Sequence, residues 1–583
     1  MELLSGNEAI AQGAWEAGAH IGVGYPGTPS TETMEAFAAK ADVYAEWCNN
    51  EKVAIEVGFG ASAGGARVLA TMKHVGVNVG ADPLFAGAHT GVGGGFVILA
   101  ADDPGMHSSQ DEQDSRFYAQ AARVPVFEPS DSAEARAFTK AAFDLSEKFD
   151  IPFLIRSTVR ISHAKSPVEV GERETRPIKP YEKDAAKWVT LPAYARGRRA
   201  DLDRRQDALA AWAEFCDYNA AEMRDARMGV ITAGACYQYV RDALPEASVL
   251  KLGITWPLPS DLIRDFARKV DLLYVVEEAS TYLSTQVKAT GVVVSEPPAA
   301  PLPRAGELSP ARIAASFGLG LPEALDPVDD IPARPPALCA GCPHRLVFKE
   351  LARAKCIVTG DIGCYTLGAL PPLSAMDTCL CMGGSVSMAH GFELALAAQE
   401  HRPVVAVIGD STFAHSGYSS LLNTAYNRGA GTICILDNRT TGMTGHQGNP
   451  FNGITLQGRP SRELGLEGMV RALGIDNIQT VDPNDMTAVR AAIREATGRT
   501  DELSVIVFRA PCALLKKEFI RQAPYAVNDS CRACGACTQL GCPAIARNED
   551  GTASIDGEQC VGCGQCAAYC AFGCITQGEG ALR

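Results

Sequence analysis

The sequence predicts an α/β protein of several domains that ends in a metal-binding tail. Short apolar strands alternate with helices in two long stretches, 1–165 and 338–515, which is typical of parallel sheets covered by helices on both faces. A chain of 583 residues is too long for a single hydrophobic core. Nine of the twenty cysteines lie in the last 53 residues, so the chemistry of the tail differs from that of the rest.

Composition and charge restrict the possible function classes. The formal net charge of −15 argues against a nucleic-acid-binding surface, which needs a basic patch. The N-terminus, MELLSGNEAIAQG, has no basic segment followed by an apolar stretch, so no signal peptide is predicted. The apolar runs FVILAA and VVAVIG are far shorter than the ~20 residues of a membrane-spanning helix. We therefore expect a cytoplasmic protein whose reduced cysteines serve metal binding or catalysis.

The first alternating stretch, 1–165, begins with a helix and a strand. NEAIAQGAWEAG is predicted to be a helix that ends at glycine, and HIGVGYPGTPSTE a strand that runs into a turn. EKVAIEVGFGASAGG follows as a helix of small residues. RVLATM, GGFVILAADD and IPFLIRS are predicted to be buried strands of one parallel sheet.

The middle of the chain is divided by composition. The polar and basic residues of 166–225 predict a crossover segment on the surface. MGVITAGACYQYVRDAL, SVLKLGI and KVDLLYVVEEAS restore the alternation and predict a small middle α/β domain at 226–296. Ten prolines between Pro297 and Pro336 predict a linker at 297–337.

The second alternating stretch, 338–515, contains the predicted strands CIVTGD, PVVAVIGD, TICILDN and LSVIVFRA. One strand ends in Gly409-Asp410, and 28 residues later another ends in Asp437-Asn438. The carboxyl ends of parallel strands are where open α/β sheets bind ligands. Carboxylate and amide oxygens suit Mg²⁺, which commonly also binds phosphate oxygens, and a glycine lets a diphosphate approach the backbone. A simple helix cap is the alternative interpretation of Asp410.

The tail, 526–583, carries two cysteine motifs, C-x2-C-x2-C-x4-C-P and C-x2-C-x2-C-x3-C. Three thiolates at this spacing reach three corners of a cubane cluster, and in two-cluster ferredoxins the fourth ligand comes from the other motif. Structural zinc is the alternative, but zinc sites use pairs of cysteines rather than two sets of three. We therefore predict two [4Fe–4S] clusters, one held by Cys531, Cys534, Cys537 and Cys570 and the other by Cys560, Cys563, Cys566 and Cys542.

Two positions in the tail depart from the ferredoxin pattern. Ala571 follows Cys570 where proline is usual, and Cys574 is a ninth cysteine without a predicted ligand role. A buried small apolar residue is the preferred interpretation of Cys574. Two clusters so close in sequence form an electron relay, so the domains before the tail are expected to supply its electrons.

Several segments resemble the thiamine diphosphate-dependent 2-oxoacid:ferredoxin oxidoreductases. The Asp410–Asn438 spacing is similar to the thiamine diphosphate signature Gly-Asp-Gly followed by Asn, although Ser411 replaces the second glycine. HSSQDEQDSRFYAQ (107–120) looks similar to a loop beside the active site. LCAGCPHR (338–345), GDIGCYTLG (360–368) and CMGGSVSMAHG (381–391) resemble the diphosphate domain, and YPGTPSTE (25–32) and NNEKVAIEVGFGASAGGARVLATM (49–72) the pyrimidine domain.

The order of the segments matches the large (alpha) subunit of indolepyruvate:ferredoxin oxidoreductase. The resemblance implies two thiamine-diphosphate-type parallel-sheet domains, which are a pyrimidine-binding domain at 1–165 and a diphosphate- and Mg-binding domain at 338–515. It also implies a transketolase-C-terminal-like middle domain and a C-terminal two-cluster ferredoxin-like domain.

The resemblance implies roles for individual residues. Asp410 and Asn438 are expected to bind Mg²⁺ through their side chains, and Thr440 through its backbone oxygen. Glu51 is expected to hydrogen-bond N1′ of the aminopyrimidine, where a carboxylate stabilises the imino tautomer that can take the proton from C2 of the thiazolium. A first-turn glutamate favoured by the helix dipole is the alternative interpretation of Glu51, and Glu56 is the nearest rival carboxylate.

Other assignments also depend on the resemblance. Thr28 matches a threonine that contacts substrate in related enzymes, and an ordinary turn residue is the alternative. His415 and His446 follow the two metal-side strands, and packing or surface histidines are the default interpretation. Cys339 and Cys342 form a C-x-x-C that resembles a redox or zinc pair, but no second pair has suitable spacing, which favours small packing residues beside the cofactor. The remaining residues expected to line the cofactor are Gly409, Ser411, Gly341, Cys342, His344, Gly383 and Gly384.

The resemblance also implies an activity and partners. An arylpyruvate of the indolepyruvate type is decarboxylated on thiamine diphosphate, its acyl group passes to coenzyme A, and the electrons leave through both clusters to ferredoxin. A small beta subunit that supplies a gamma-type domain is expected in an α2β2 heterotetramer. The alternatives are another 2-oxoacid such as pyruvate or phenylglyoxylate, non-oxidative decarboxylation to an aldehyde, and an electron-transfer subunit without thiamine chemistry.

Overall fold

A computed structural model of the chain describes residues 1–320, 331, 335–398 and 402–578. The chain forms two compact units, Met1–Val328 and Asp329–Arg583, and each is described by itself. Within the described ranges, no helix combines the length and the apolar character that crossing a bilayer would require.

The strands of the first unit form three sheets. They are β1 (Glu2–Ser5), β2 (Ile21–Gly24), β3 (Tyr44–Trp47), β4 (Val68–Lys73), β5 (Phe96–Asp102), β6 (Val126–Phe127), β7 (Phe153–Thr158), β8 (Lys165–Val168), β9 (Ala220–Glu222), β10 (Asp225–Ala233), β11 (Ala247–Leu252), β12 (Ile254–Trp256) and β13 (Leu272–Val276). Seven of them form the main sheet in the order β12-β6-β7-β5-β4-β2-β3, which is parallel except where β12 meets β6. A four-stranded sheet has the order β13-β10-β11-β9, and β1 pairs with β8.

The helices of the first unit cover the main sheet and border the four-stranded sheet. They are α1 (Gly6–Glu16), α2 (Thr31–Ala38), α3 (Glu51–Ala63), α4 (His74–Val79), α5 (Ala81–Thr90), α6 (Ser115–Ala122), α7 (Ser132–Phe149), α8 (Val159–His163), α9 (Ala185–Trp188), α10 (Pro192–Ala213), α11 (Ala235–Ala243), α12 (Ser260–Ala267), α13 (Tyr282–Ala289) and α14 (Pro310–Ser316). Every residue of β4, β5 and β7 is buried, as expected for central parallel strands with helices on both faces. Polar caps define helix starts: the Asn50 side chain accepts a hydrogen bond from Val53 N at the start of α3.

A buried ionic cluster holds the carboxyl ends of the main-sheet strands together. Arg156 Nε donates to Asp102 Oδ2 at 2.6 Å, and Arg156 Nη1 donates to Glu128 Oε2 at 2.8 Å. Thr255, on β12, donates its hydroxyl to Glu128 Oε1 at 2.7 Å. This bond explains why a strand from the segment predicted as the middle domain joins the main sheet instead of the four-stranded one.

The second unit contains a six-stranded parallel sheet and two small antiparallel pairs. Its strands are β14 (Ile357–Gly360), β15 (Thr378–Cys379), β16 (Val404–Gly409), β17 (Gly431–Asp437), β18 (Ile478–Val481), β19 (Leu503–Arg509), β20 (Tyr525–Val527), β21 (Ile545–Arg547), β22 (Ala553–Ile555) and β23 (Ile575–Gln577). The parallel sheet has the order β15-β14-β16-β17-β19-β18, and β20-β23 and β21-β22 are the antiparallel pairs. The helices are α15 (His344–Ala354), α16 (Gly384–Leu396), α17 (Asp410–Thr412), α18 (Tyr418–Tyr426), α19 (Leu466–Arg471), α20 (Met486–Thr497) and α21 (Gln565–Tyr569).

A buried arginine joins the cysteine-rich tail to the sheet domain of this unit. Arg345, in α15, is 1% exposed. Its Nη1 donates to Leu540 O at 2.8 Å in the tail, and its Nη2 donates to Leu338 O at 2.8 Å and Cys339 O at 2.7 Å. Because these carbonyls lie on both sides of the junction, one guanidinium satisfies backbone acceptors of both parts.

The prediction of an α/β fold with parallel sheets is confirmed, and the four strands predicted in 338–515 correspond to β14, β16, β17 and β19. Three helices lie in segments where none was predicted, and the four-residue α9 in 166–225 is one of them. The segment 166–225 also contains the 22-residue helix α10. Most of its residues are polar or charged and few are buried, so its sequence shows no apolar periodicity. The segment 297–337 contains α14, and part of this predicted linker lies outside the described residues.

Two glycines of α3 offer a matched test of the packing of the main sheet. A Cβ on Gly58 would lie 2.6 Å from Phe96 Cζ, whereas a Cβ on Gly60 would have no heavy atom within 4 Å. We expect Gly58→Ala to lower the midpoint of urea unfolding, because overpacking costs roughly 1–3 kcal/mol and exceeds the helix-propensity gain. Gly60→Ala should raise the midpoint, because it should add up to about 1 kcal/mol to the free energy of unfolding. Equal midpoints for the two variants would contradict the packing of α3 on β5.

Candidate active site

Two buried carboxylates meet at the carboxyl edge of the six-stranded sheet. β16 and β17 are parallel neighbours with Gly409 in register with Leu436, so the residues that follow, Asp410 and Asp437, are adjacent. Asp437 forms an ion pair with Arg509 Nε at 2.6 Å. Among the described residues no cation pairs with Asp410, which is 2% exposed and accepts a hydrogen bond from Asn449 Nδ2 at 2.9 Å.

The electrostatics of Asp410 are suited to a bound cation. Burial raises the pKa of Asp410 to about 7, and the neighbouring charge of Asp437 adds to the effect. Of the described residues, no group of three or more His, Cys, Asp or Glu is close enough together to hold a metal ion. The predicted Mg²⁺ site consists of one carboxylate, one amide and one backbone oxygen, so it would not form a group of this kind. The oxygen donors at this edge are the type that Mg²⁺ prefers, so the residues fit that ion.

The loop after β17 is held against the residue that follows Asp410. Thr440 N donates to Asn438 Oδ1 at 3.2 Å, and Thr440 Oγ1 donates to Gln447 O at 3.2 Å. Thr441 Oγ1 donates to Ser411 Oγ at 2.8 Å. The structure thus brings Asn438, Thr440 and Ser411 to the same edge as Asp410.

Position 409 requires a glycine because an aromatic ring packs against it and leaves no room for a side chain. A Cβ on Gly409 would lie 2.6 Å from Tyr365 Cε1, and Tyr365 OH donates to Ile362 O at 3.0 Å. The His344 ring meets Tyr365 edge to face, with centroids 6.1 Å apart. Burial lowers the pKa of His344 to about 4, so its imidazole is neutral near pH 7. The ring contact is a packing reason for this glycine that the sequence did not reveal.

Asp361 is a buried carboxylate at this edge that the sequence analysis did not select. It follows β14, and its two oxygens accept hydrogen bonds from Gly383 N at 2.8 Å and Ser385 N at 3.0 Å at the start of α16. Gly383 has φ +80°, and a Cβ there would lie 2.4 Å from Ser416 Cβ. Gly384 begins the helix that Asp361 anchors. The Gly-Asp pair that ends CIVTGD, like the pair that ends PVVAVIGD, could have identified Asp361.

Near the same edge, the fold brings two thiols from distant parts of the sequence beside the two thiols of the C-x-x-C motif. Burial raises the pKa of Cys342 to about 12 and that of Cys364 to about 11, and the charges of neighbouring thiols, including Cys339 and Cys512, add to these shifts. Cys512 Sγ lies 3.7 Å from His446 Nε2. The C-x-x-C motif revealed Cys339 and Cys342, but only the fold brings the other two thiols beside them.

The segment after Asp410 departs from regular helix. Residues Phe413–Gly417 form a π-helical turn, a feature frequent at functional sites. His415, buried in this turn, has Nδ1 2.6 Å from Ser416 Oγ. The turn lets the chain continue into α18 while Ser416 stays against Gly383.

Each predicted cysteine set of the tail surrounds its own cavity. One cavity is lined by Cys531, Cys534, Cys537 and Cys570. The other is lined by Cys542, Cys560, Cys563 and Cys566. The structure therefore brings each set of three together with the fourth cysteine of the other motif.

The two cavities differ in their surroundings. The first cavity contains the exposed Cys534, and it is also lined by Cys574, whose Sγ lies 3.2 Å from Cys570 Sγ. The second is lined by Gly341, whose φ is +73° and whose added Cβ would lie 2.3 Å from Val561 Cγ2. Gly341 therefore faces the tail, and the adjacent carbonyl of Cys342 accepts a hydrogen bond from Gln565 Nε2 at 3.1 Å.

In the first unit, burial separates Glu51 from its rival Glu56. Glu51 is the first residue of α3 and is 5% exposed. Its carboxylate packs against α4, because a Cβ on Gly76 would lie 2.7 Å from Glu51 Oε1. Glu56 is exposed and pairs with Lys52 on the helix surface. Glu51 is thus the carboxylate that can face a bound ring.

The turn that contains Thr28 lies at the same edge of the main sheet. Gly27 N donates to Thr31 Oγ1 at 2.9 Å, and Ser30 Oγ donates to Gly27 O at 2.7 Å, which closes the turn after β2. A Cβ on Gly27 would lie 3.0 Å from Lys73 Cβ, at the end of β4. Lys73 is 8% exposed, and the sequence analysis did not select it.

Two family models match the chain where these residues lie. "Pyruvate flavodoxin/ferredoxin oxidoreductase, thiamine diP-bdg" matches residues 12–203, a range that contains Thr28 and Glu51. "Thiamine pyrophosphate enzyme, C-terminal TPP binding domain" matches residues 361–508, a range that contains Asp410 and Asn438.

Curated relatives match over nearly the full length. The protein "Indolepyruvate oxidoreductase subunit IorA" of Thermococcus kodakarensis is 40% identical over 98% of this chain and 96% of its own. The proteins of the same name from Archaeoglobus fulgidus and Pyrococcus abyssi are 39% and 38% identical, over 97% and 99% of this chain and 96% and 97% of theirs. The chain therefore belongs to the family of indolepyruvate oxidoreductase IorA subunits, within the thiamine diphosphate-dependent 2-oxoacid:ferredoxin oxidoreductases.

Proposed function

We propose that the chain catalyses oxidative decarboxylation of an arylpyruvate of the indolepyruvate type with coenzyme A, giving an arylacetyl-CoA and CO₂. Two electrons leave through two [4Fe–4S] clusters to ferredoxin. The observation that carries the proposal is the match to IorA subunits over nearly the whole of both chains, cysteine tail included.

The residues at the two sheet edges support binding of thiamine diphosphate with Mg²⁺. Asp410 and Asn438 would bind the ion through side chains and Thr440 through its backbone oxygen, since all three lie buried at one edge. Glu51 would hydrogen-bond the pyrimidine N1′ from its buried position in α3 and so stabilise the imino tautomer of the ring. When bound, thiamine diphosphate supplies the electron sink for decarboxylation.

The residues around the diphosphate edge would hold the cofactor in one orientation and exclude water from it. Tyr365 closes the surface of Gly409, and Asp361 fixes the start of α16. His344 and Cys342 are buried beside them in neutral form, so they add no charge to compete with the carboxylate of Asp410. Gly383, Gly384 and Ser411 would complete the lining.

The two tail cavities support two iron–sulfur clusters. Each is lined by four thiols, three from one motif and one from the other, whereas zinc sites use pairs of cysteines. The donor set of four cysteines per cavity fits a [4Fe–4S] cluster. Cys531, Cys534, Cys537 and Cys570 would hold the first cluster, and Cys542, Cys560, Cys563 and Cys566 the second.

The contacts within the second unit support a direction for electron flow. Gly341 lines the second cavity, and the carbonyl of Cys342 accepts a hydrogen bond from Gln565, which also lines it. The thiols of Cys339 and Cys364 lie near Cys342. The first cavity reaches the surface at Cys534. The second cluster would therefore receive electrons from the thiamine edge, and the first would pass them to ferredoxin.

The proposed assembly follows from the subunit relationship. IorA subunits are named as one part of an oxidoreductase, which supports a small beta subunit as partner in an α2β2 heterotetramer. We also propose a cytoplasmic location, where the cluster thiols stay reduced.

The activity is tested with the chain purified anaerobically together with its partner subunit. Coenzyme A-dependent reduction of a viologen dye should be fastest with indolepyruvate and other arylpyruvates, and the product should be the corresponding acyl-CoA. A kcat/KM for pyruvate or phenylglyoxylate equal to that for arylpyruvates would remove the substrate assignment. Release of an aldehyde without acyl-CoA would remove the oxidative reaction.

Glu51→Gln should lower kcat at least about 100-fold, because a neutral amide cannot exchange a proton with N1′ and so cannot stabilise the imino tautomer. Iron content should stay at the wild-type value, since Glu51 lies outside the unit that contains the tail. Glu56→Gln is the matched control and should keep wild-type activity because Glu56 is exposed on the same helix. Retained turnover in Glu51→Gln would exclude this role.

Metal analysis tests the two cysteine sets separately. The wild-type chain should contain about eight iron atoms, and Cys537→Ser and Cys566→Ser should each lose about half of them, because each removes one ligand of one cluster. Cys216→Ser, which changes a cysteine of the first unit, is the control and should lose no iron. Zinc in place of iron, or loss of all iron in both variants, would contradict two independent clusters.

A further inference from the structure

A buried lysine lies at the proposed active-site edge of the first unit without an acidic partner. Lys73 ends β4 and is 8% exposed, and its Nζ donates to Ser108 O at 2.5 Å. Among the described residues no carboxylate forms an ion pair with it, although Asp103 and Asp111 act on it from farther away. A buried ammonium with one carbonyl partner is left with donors that a ligand anion can satisfy.

The nearest acidic residues are already occupied by other groups. Asp103 accepts hydrogen bonds from Ser108 N at 2.8 Å and Ser109 Oγ at 2.5 Å. The Asp111 side chain is half exposed, and its Oδ1 lies 3.7 Å from His74 Nε2. The loop that brings these residues over β4 therefore places two carboxylates near the ammonium of Lys73 but, among the described residues, forms no direct ion pair with it.

Two further polar atoms beside Lys73 are buried and have no hydrogen-bond partner within the part of the chain that the structure describes. They are Thr71 Oγ1, two residues earlier on β4, and His74 Nδ1, the next residue along the chain. Buried polar atoms without partners are rare in folded proteins and indicate a ligand or water. These two atoms and the Lys73 ammonium, which has a single carbonyl partner, lie within four residues and mark this end of β4 as a polar binding surface.

The position of Lys73 places this surface beside the proposed catalytic residue. The Lys73 stem packs against the Gly27 backbone of the Thr28 turn. Gly76, three residues after Lys73, is in contact with the carboxylate of Glu51. The ammonium is therefore on the same sheet edge as the group that would contact the cofactor.

We propose that Lys73 binds the carboxylate of the 2-oxoacid substrate and so orients its keto carbon toward the cofactor. The inference rests on the proposed function, because it assigns the substrate to the Glu51 edge. Burial lowers the pKa of Lys73 to about 8, so the group stays largely protonated near pH 7 and can pair with a carboxylate. A charge-assisted contact of this kind fixes orientation as well as affinity.

The first test uses turnover in the complete complex with its partner subunit. Lys73→Met should raise the KM for an arylpyruvate roughly 10- to 100-fold while the KM for coenzyme A and the bound thiamine diphosphate stay at wild-type values. Lys73→Arg, which keeps the charge, should recover most of the loss. Lys52→Met is the matched control, because Lys52 is an exposed lysine of the same unit, and it should change none of these values.

The second test needs no turnover and therefore does not depend on the proposed reaction. Binding of 3-phenylpropanoate, a carboxylate without a keto group, is compared with binding of 3-phenylpropanol by calorimetry. The wild-type complex should prefer the carboxylate at least about 10-fold, and Lys73→Met should bind both alike. An unchanged preference in Lys73→Met, or loss of thiamine diphosphate without a change in preference, would overturn the role of Lys73. A wild-type complex that prefers the carboxylate but turns over no 2-oxoacid would overturn the proposed function alone.

Discussion

The buried carboxylate of Asp410 is the constraint around which the second unit is built. Parallel pairing of β16 and β17 forces Asp410 next to Asp437, and only the second of these has an arginine partner. Burial and the neighbouring charge of Asp437 raise the pKa of Asp410, which favours a proton or a cation at this carboxylate. The following loop supplies neutral oxygens beside it, and this combination favours a divalent ion together with a phosphate group.

The surrounding glycines and aromatic rings make that edge rigid. Tyr365 covers Gly409, and Ser416 approaches Gly383 so closely that neither glycine has room for a side chain. The carboxylate of Asp361 holds the first turn of α16 by two backbone hydrogen bonds. A cofactor bound here meets preformed donors and walls, which lowers the entropic cost of ordering it.

Sequence spacing predicted those parts of the site that lie on one continuous segment. The two cysteine motifs, Gly409-Asp410 and Asp437-Asn438 were recognisable because spacing and strand ends are local properties. Cys364 and Cys512 were missed because only the register of the sheet brings them to Cys339 and Cys342. Lys73 was missed because a lysine after an apolar strand resembles any solvated strand end until burial and missing partners are known. For the same reason β12 could not be assigned to its sheet, since its bond to Glu128 joins positions far apart in the chain.

The buried guanidinium of Arg345 has a consequence for how fast the protein can work. Because it bonds to carbonyls on both sides of the junction, the cysteine-rich segment is a fixed wall of the thiamine domain rather than a tethered arm. In the proposed reaction, electrons would then cross from the cofactor edge to the tail over a constant distance, without the hinge motion that limits many multidomain enzymes.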